Sequence, residues 1–302
     1  MQKKWIWSLC GLVLLAPLLL LEAAPGKFTK CVRYVQQTIH RIDVALNLTN
    51  SINAESPLLR SHRGGYTPAC AELWIAHGGG IGRYVYTNCL EAVQDSLNRG
   101  FKYVELDLLT TTDGYLVGGH DWTRVRELAG IENTIEKPIS RSELMAYRAK
   151  WKQTLLFAED ICQLMKEHPH MILVTDKVQD FDLLARSIPY TERTVVEAFD
   201  CYSCLEALRA GFRNVALSAW SIEGMYQARQ YKLPGIVLSA TVLNSNPAAA
   251  ELAKQMHQEG CCIMVHGSAI CDSSDFIHKY LGKSISRIYT DTWSPAEAPA
   301  AP

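Results

Sequence analysis

The stretch that decides the fold is "TNCLEAVQDSLNRGFKYVELDLLTTTDGYLVGGHDW", residues 87–122. Its first part, to Gly100, repeats apolar residues at helical spacing and closes on glycine, a common helix C-cap. "YVELDLL" follows as a short apolar run, interrupted only by Glu105 and Asp107. A run this apolar predicts a strand buried on both faces, as in parallel sheets. Asp113 and Gly114 mark a turn. "YLVGGHD" then predicts another short strand, ending at His120.

The same alternation extends outward from this unit. Apolar runs occur at "LWIAHG", "MILVTDK", "TVVEAF", "NVALSA", "GIVLSA", "CCIMVHG" and "RIYTDT", with amphipathic stretches between most of them. Repeated strand–helix units predict a parallel sheet covered by helices. At this length the leading architecture is an α/β fold of the TIM type, a (β/α)8 barrel, over residues 71–293. A doubly wound open sheet is the second choice. Nine runs compete for eight barrel places, so one strand is surplus.

The chain has 302 residues, 48% of them hydrophobic, which is enough for a sizeable core. With 30 basic and 31 acidic residues its net charge is −1. There is no basic face to predict nucleic-acid binding. Lys3 and Lys4 precede an uncharged apolar run from Trp5 to Leu21. Residues 1–24 therefore read as a signal peptide or membrane anchor, and the rest of the chain as exported, either membrane-anchored or secreted or periplasmic. Residues 25–70 read as an N-terminal helix (28–48) and a linker or covering loop, and 294–302 as a disordered Pro/Ala-rich tail. Of ten cysteines, Cys10 lies in the apolar run. Export permits disulfides. Cys201 and Cys204 have C-x-x-C spacing, and Cys261, Cys262 and Cys271 are candidates for a local bridge.

Polar residues gather at the predicted strand ends: His77, Glu105, Asp107, His120 and Lys177. In a parallel barrel those ends share one face, which carries the active site. Glu105 and Asp107 are two apart, so a strand points both the same way. Neighbouring carboxylates raise each other's pKa unless a cation lies between them. Hard oxygen ligands suit Ca²⁺ or Mg²⁺. After His77 come Gly78, Gly79 and Gly80, a run that costs backbone entropy unless something must approach the chain closely.

A histidine after the first strand, E-x-D in the second and His-Asp after the third resembles the glycerophosphodiester phosphodiesterase family, in the phosphatidylinositol-phospholipase-C-like superfamily of barrels. "ISRSELMAY", "VVEAFD" and "RIYTDTW" extend the resemblance over about residues 72–293. It implies that His77 and His120 are the acid/base pair, that Glu105 and Asp107 bind the divalent metal ion, and that Lys177 steadies phosphate charge. The glycines would let a phosphate approach the backbone.

The chain departs from the family at His77-Gly78-Gly79, where His-Arg-Gly is usual; Arg83 is the nearby substitute. Thr175 stands where an acid is usual. Asp176 completes the metal site if a bulge turns it inward; otherwise Glu197 or water takes that place. Thr87 replaces the acid usual before Asn88. The activity implied is metal-dependent hydrolysis of a phosphodiester: a glycerophosphodiester, a lipid headgroup or an envelope glycan. The rival readings are an inactive barrel that binds a phosphorylated ligand or protein partner, and a glycosidase. An adjacent E-x-D pair does not supply the spacing a glycosidase needs.

Overall fold

A computed structural model describes residues 58–59, 72–132 and 135–298 of the chain. The predicted signal or anchor segment, the helix read over 28–48 and most of the linker lie outside the described residues. Among the described residues no helix is long and apolar enough to cross a membrane.

The strands are β1 (Trp74–Ala76), β2 (Tyr103–Thr110), β3 (Leu116–Gly118), β4 (Ile172–Asp176), β5 (Thr194–Ala198), β6 (Asn214–Ala219), β7 (Gly235–Ser239), β8 (Cys262–His266) and β9 (Arg287–Thr290). All but β3 pair in parallel, and β1 hydrogen-bonds to both β9 and β2. That double pairing closes an eight-stranded barrel and excludes the open sheet. Helices flank the strands, among them α1 (Leu90–Asn98), α2 (Trp122–Leu128) and α3 (Arg141–Ala146).

The surplus strand is β3. It pairs antiparallel with β2, Leu108 opposite Gly118 and Thr110 opposite Leu116. β2 overshoots the barrel, turns at Asp113–Gly114, and β3 brings the chain back. Gly119 N–H then donates to the Asp107 carbonyl at 2.9 Å. His120 therefore reaches the barrel mouth on a returning hairpin rather than at the end of a barrel strand.

Side chains alternate along each strand. Ile75, Tyr103, Ile172, Val174, Val195, Ala216, Val237, Cys262, Met264 and Tyr289 fill the barrel in one cluster. At the floor, the Arg287 guanidinium lies over the Tyr103 ring and donates to Tyr103 Oη at 3.0 Å. Leu59, from the stretch read as linker, belongs to the same cluster. Gly235 leaves room for it: a Cβ there would lie 3.1 Å from Leu59 Cδ1. Leu58 N–H donates to Asn214 Oδ1 at 3.1 Å, which fixes this stopper to the first residue of β6.

The seven described cysteines are all unbridged. Cys261 and Cys262 lie at the start of β8 and Cys271 beyond its end. A strand of that length separates them by more than a disulfide spans. At the C-terminus, Ser294 is buried and donates to Glu297 Oε2 at 2.6 Å, so the folded unit runs past the predicted start of the tail.

The stopper makes a measurable prediction. Leu59→Ala removes a 2% exposed side chain from the core and is expected to cost about 2–5 kcal/mol. Urea unfolding checks this; a loss under about 0.5 kcal/mol, within the range of ordinary surface substitutions, contradicts the role given to Leu59.

Candidate active site

The C-terminal ends of the strands open into a cavity of about 250 Å³. His77, Glu105, Asp107, His120, Asp176 and Lys177 all line it, so the structure brings these six sequence-predicted residues to one place. Tyr86, Glu197, Phe199, Ser218, Trp220, Val237, His266 and Tyr289 complete the lining.

Glu105 and Asp107 point inward from β2, as their spacing requires. Asp176 joins them without a bulge. It pairs in register with Asp107, while Val174, opposite Glu105, faces the barrel interior. Counting alternation from Val174 puts Asp176 inside and Thr175 outside. Thr175 is fully buried and donates to the Leu106 carbonyl at 2.8 Å. Asp176 thus faces Glu105 and Asp107, and the bulge expected to turn it inward is not needed. Lys177, the next residue, lies past the strand in a left-handed conformation, φ 65°. That kink carries Lys177 Nζ to the His120 carbonyl at 2.6 Å and to Asp107 Oδ1 at 3.0 Å.

Carboxylate oxygens of Glu105, Asp107 and Asp176 lie within 4.8 Å of one another. Burial pushes Glu105 well above the usual carboxylate range, and the charges of Asp107, Asp176 and Glu197 add to the shift. Burial and then Glu197 and Asp107 raise Asp176 to about 8. Glu197 is raised to about 7, by burial first; a hydrogen bond from Tyr289 Oη opposes the rise. Asp176 Oδ1 is buried and has no hydrogen-bond partner. Three hard oxygen donors, one of them orphaned, fit a divalent cation.

The neighbouring groups fix the cluster's geometry. Gly78 N–H donates to Glu105 Oε2 at 2.7 Å. Asn88 grips Asp107 twice: its Nδ2 donates to Oδ2 at 3.0 Å, and its Oδ1 accepts from the Asp107 N–H at 2.9 Å. This explains the glycine. Gly78 has φ 55°, and a Cβ on it would lie 2.7 Å from Tyr86 Cα. The close approach is by the protein's own Tyr86 loop, and the Gly78 N–H that would face a phosphate is already bonded to Glu105.

Both histidines are held through Nδ1. His77 Nδ1 lies 3.0 Å from Asp291 Oδ1, and His120 Nδ1 3.0 Å from Asp121 Oδ2. Asp121 also caps α2, accepting from Arg124 N–H at 2.8 Å. Each carboxylate orients its ring and leaves Nε2 for other partners. The Tyr86 ring packs against both imidazoles, 4.4 Å from His77 and 5.8 Å from His120. Arg83 does not line the cavity; its guanidinium stacks on Tyr84 at 4.6 Å.

Asp291, Tyr86 and His266 went unpredicted. Asp291 stands in "RIYTDTW" just past β9, and only barrel closure reveals that this is beside His77. Tyr86 carries no spacing signal, whereas His266 ends the apolar run "CCIMVHG" as His77 ends "LWIAHG", a strand-end position that could have marked it.

No family model matches the chain, and no curated protein matches it in sequence. Solved structures do. A glycerophosphodiester phosphodiesterase of Thermotoga maritima aligns with a TM-score of 0.59 at 16% identity, over 72% of this chain and 94% of that one. A glycerophosphoryl diester phosphodiesterase of Parabacteroides distasonis gives 0.61 at 16%, over 84% and 93%. A phosphodiesterase of Oleispira antarctica, in complex with the product sn-glycerol-3-phosphate, gives 0.58 at 12%, over 74% and 94%. The chain is similar in fold to glycerophosphodiester phosphodiesterases, and divergent from each in sequence.

The raised carboxyl groups predict how cation-free stability depends on pH. Folded Asp176 and Glu197 keep their protons up to about 8 and about 7, whereas unfolded carboxyls lose theirs near 4. Between those values the folded state holds more protons, so stability falls as pH rises. In chelator, Tm is expected to drop by roughly 5 °C or more from pH 5 to pH 8. A divalent cation should restore it at pH 8, and Asp107→Asn should abolish the restoration. A flat Tm in chelator contradicts the burial of like charges.

Proposed function

We propose that this protein is an exported, metal-dependent phosphodiester hydrolase of the glycerophosphodiester phosphodiesterase type. One observation carries the reading: three clustered carboxylates, two carboxylate-held histidines and a lysine face one small cavity at the barrel mouth. The neighbour that holds sn-glycerol-3-phosphate supports a small phosphodiester as substrate.

Glu105, Asp107 and Asp176 hold the cation, Ca²⁺ or Mg²⁺. When bound it supplies charge stabilisation to an anionic phosphoryl group. The remaining work belongs to the chain. Asn88 fixes Asp107 so that its carboxylate is presented in one orientation. Lys177 places a positive charge beside the cluster and compensates negative charge that builds on phosphate oxygens. Asp291 and Asp121 hold the Nδ1 atoms of His77 and His120, so proton transfer runs through Nε2. One histidine accepts the nucleophile's proton and the other protonates the leaving oxygen. Tyr86 holds the two rings apart.

Export follows from the basic N-terminus and its apolar run, either with retention as a membrane anchor or with release. Mass spectrometry of the mature protein decides. An intact Met1 region in the membrane fraction indicates an anchor; cytoplasmic protein with an unprocessed N-terminus contradicts export.

The histidine pair gives the direct catalytic test. A general acid matters most when the leaving group is poor. His77→Ala and His120→Ala are to be compared on an alkyl and a nitrophenyl phosphodiester. One variant is expected to lose alkyl cleavage by on the order of 10²–10⁴-fold while keeping much more nitrophenyl cleavage. Wild-type rates on both substrates in both variants would leave the hydrolase reading without its centre.

A further inference from the structure

The two histidines meet their carboxylates in unlike ways. Asp121 follows His120 directly in the chain, and the side chains of that pair are 49% and 41% exposed. Asp291 stands 214 positions from His77, and the side chains of that pair are only 11% and 12% exposed. A sequence neighbour is delivered by the peptide that joins the two residues. A distant partner is delivered only as well as its own backbone is fixed.

The sheet does not fix the backbone at Asp291. β9 ends at Thr290, so the Asp291 N–H and C=O lie past the ladder and need partners elsewhere. Gly82 N–H, from the loop after His77, donates to the Asp291 carbonyl at 3.1 Å. The Asp291 N–H donates to Asp272 Oδ2 at 3.1 Å.

Asp272 is itself braced. It follows a helical turn, Ser268–Cys271, just beyond the end of β8. Cys271 is fully buried, and its thiol donates to the Val265 carbonyl at 3.7 Å, which ties the turn to β8. Trp293 Nε1 donates to the Asp272 carbonyl at 2.8 Å, and the Trp293 N–H donates to Thr290 Oγ1 at 2.9 Å. The chain around Asp291 is thus fastened to the β8 turn twice, by the Asp272 side chain and by Trp293. Asp272 does not line the cavity, so any effect it has on the reaction passes through Asp291.

We propose that Asp272 is a positioning residue for His77: its carboxylate holds the Asp291 N–H, which fixes where the Asp291 carboxylate lies and so how the His77 ring is turned. This rests on the hydrolase reading above for its catalytic consequence. Proton transfer through Nε2 depends on the direction of the ring, and misplacing a reacting group by about 1 Å can cost about 10²-fold in rate. His120 does not share this dependence, because Asp121 is its neighbour in the chain.

The test compares Asp272→Ala, which removes the acceptor, with Asp272→Asn, which keeps an oxygen for the Asp291 N–H. On an alkyl phosphodiester, Asp272→Ala is expected to lower kcat about 10- to 100-fold with KM little changed. Asp272→Asn should stay close to wild type. In an Asp291→Ala background, Asp272→Ala should cost almost nothing more, because the carboxylate it positions is gone. A residue that only supports the loop would lower kcat by the same factor in both backgrounds. Imidazole NMR signals give a readout free of turnover, assigned by their loss in His77→Ala and His120→Ala. The His77 signals should shift in Asp272→Ala and match wild type in Asp272→Asn, with the His120 signals unmoved in both. If Asp272→Ala fails to fold, Trp293→Phe replaces it: it frees the Asp272 carbonyl and should also shift the His77 signals. Unmoved His77 signals, additive losses of kcat, or an Asn variant as impaired as the Ala variant overturn the proposal and leave the hydrolase reading standing. His77 signals that respond as expected in a protein that cleaves no phosphodiester uphold the positioning and defeat the hydrolase reading.

Discussion

The crowding of carboxylates in a buried barrel mouth is the constraint on which the rest of the site depends. Glu105, Asp107 and Asp176 face one another within 4.8 Å, with Glu197 adding a fourth charge. Like charges at that distance in a low-dielectric setting repel strongly. The surrounding structure reads as a set of responses to that repulsion. Gly78 gives its N–H to Glu105, Asn88 gives its side chain to Asp107, and Lys177 bends back toward Asp107 through a left-handed residue. The oxygen left over, Asp176 Oδ1, is the natural place for a cation.

Two backbone features exist to make these responses possible. The Tyr86 loop passes so close to Gly78 that no side chain fits there. The β2–β3 hairpin folds back far enough to put His120 beside Asp107, held by the Gly119 N–H. Two histidines, His77 from a strand end and His120 from a returning hairpin, thus meet across a single tyrosine ring. Of their carboxylate partners, Asp291 comes from far along the chain and Asp121 directly follows His120.

Much of this was legible in the sequence. Apolar runs separated by amphipathic stretches announce a parallel barrel, and residues two apart on a strand announce that Glu105 and Asp107 face together. What stayed hidden depends on tertiary closure or on local backbone geometry. Asp291 becomes a partner of His77 only because β9 pairs with β1. Asp176 needs no bulge to face Glu105 and Asp107, because strand alternation runs from Val174, and it ends at Lys177, where φ turns positive. The surplus strand was not identifiable because an antiparallel hairpin arm and a barrel strand have the same apolar composition. Leu59 sits in a polar stretch that reads as linker, and a single residue carries no periodicity. The glycine run was read as room for a ligand, whereas the chain fills that room itself.

The account's central claim is that Glu105, Asp107 and Asp176 together hold a divalent cation. Anomalous diffraction from crystals soaked in Mn²⁺ tests it most directly. The account predicts one strong anomalous peak within coordinating distance of oxygens from all three residues, at about 2.0–2.5 Å. Crystals that diffract well, contain Mn²⁺ and show no peak among those three carboxylates would contradict it.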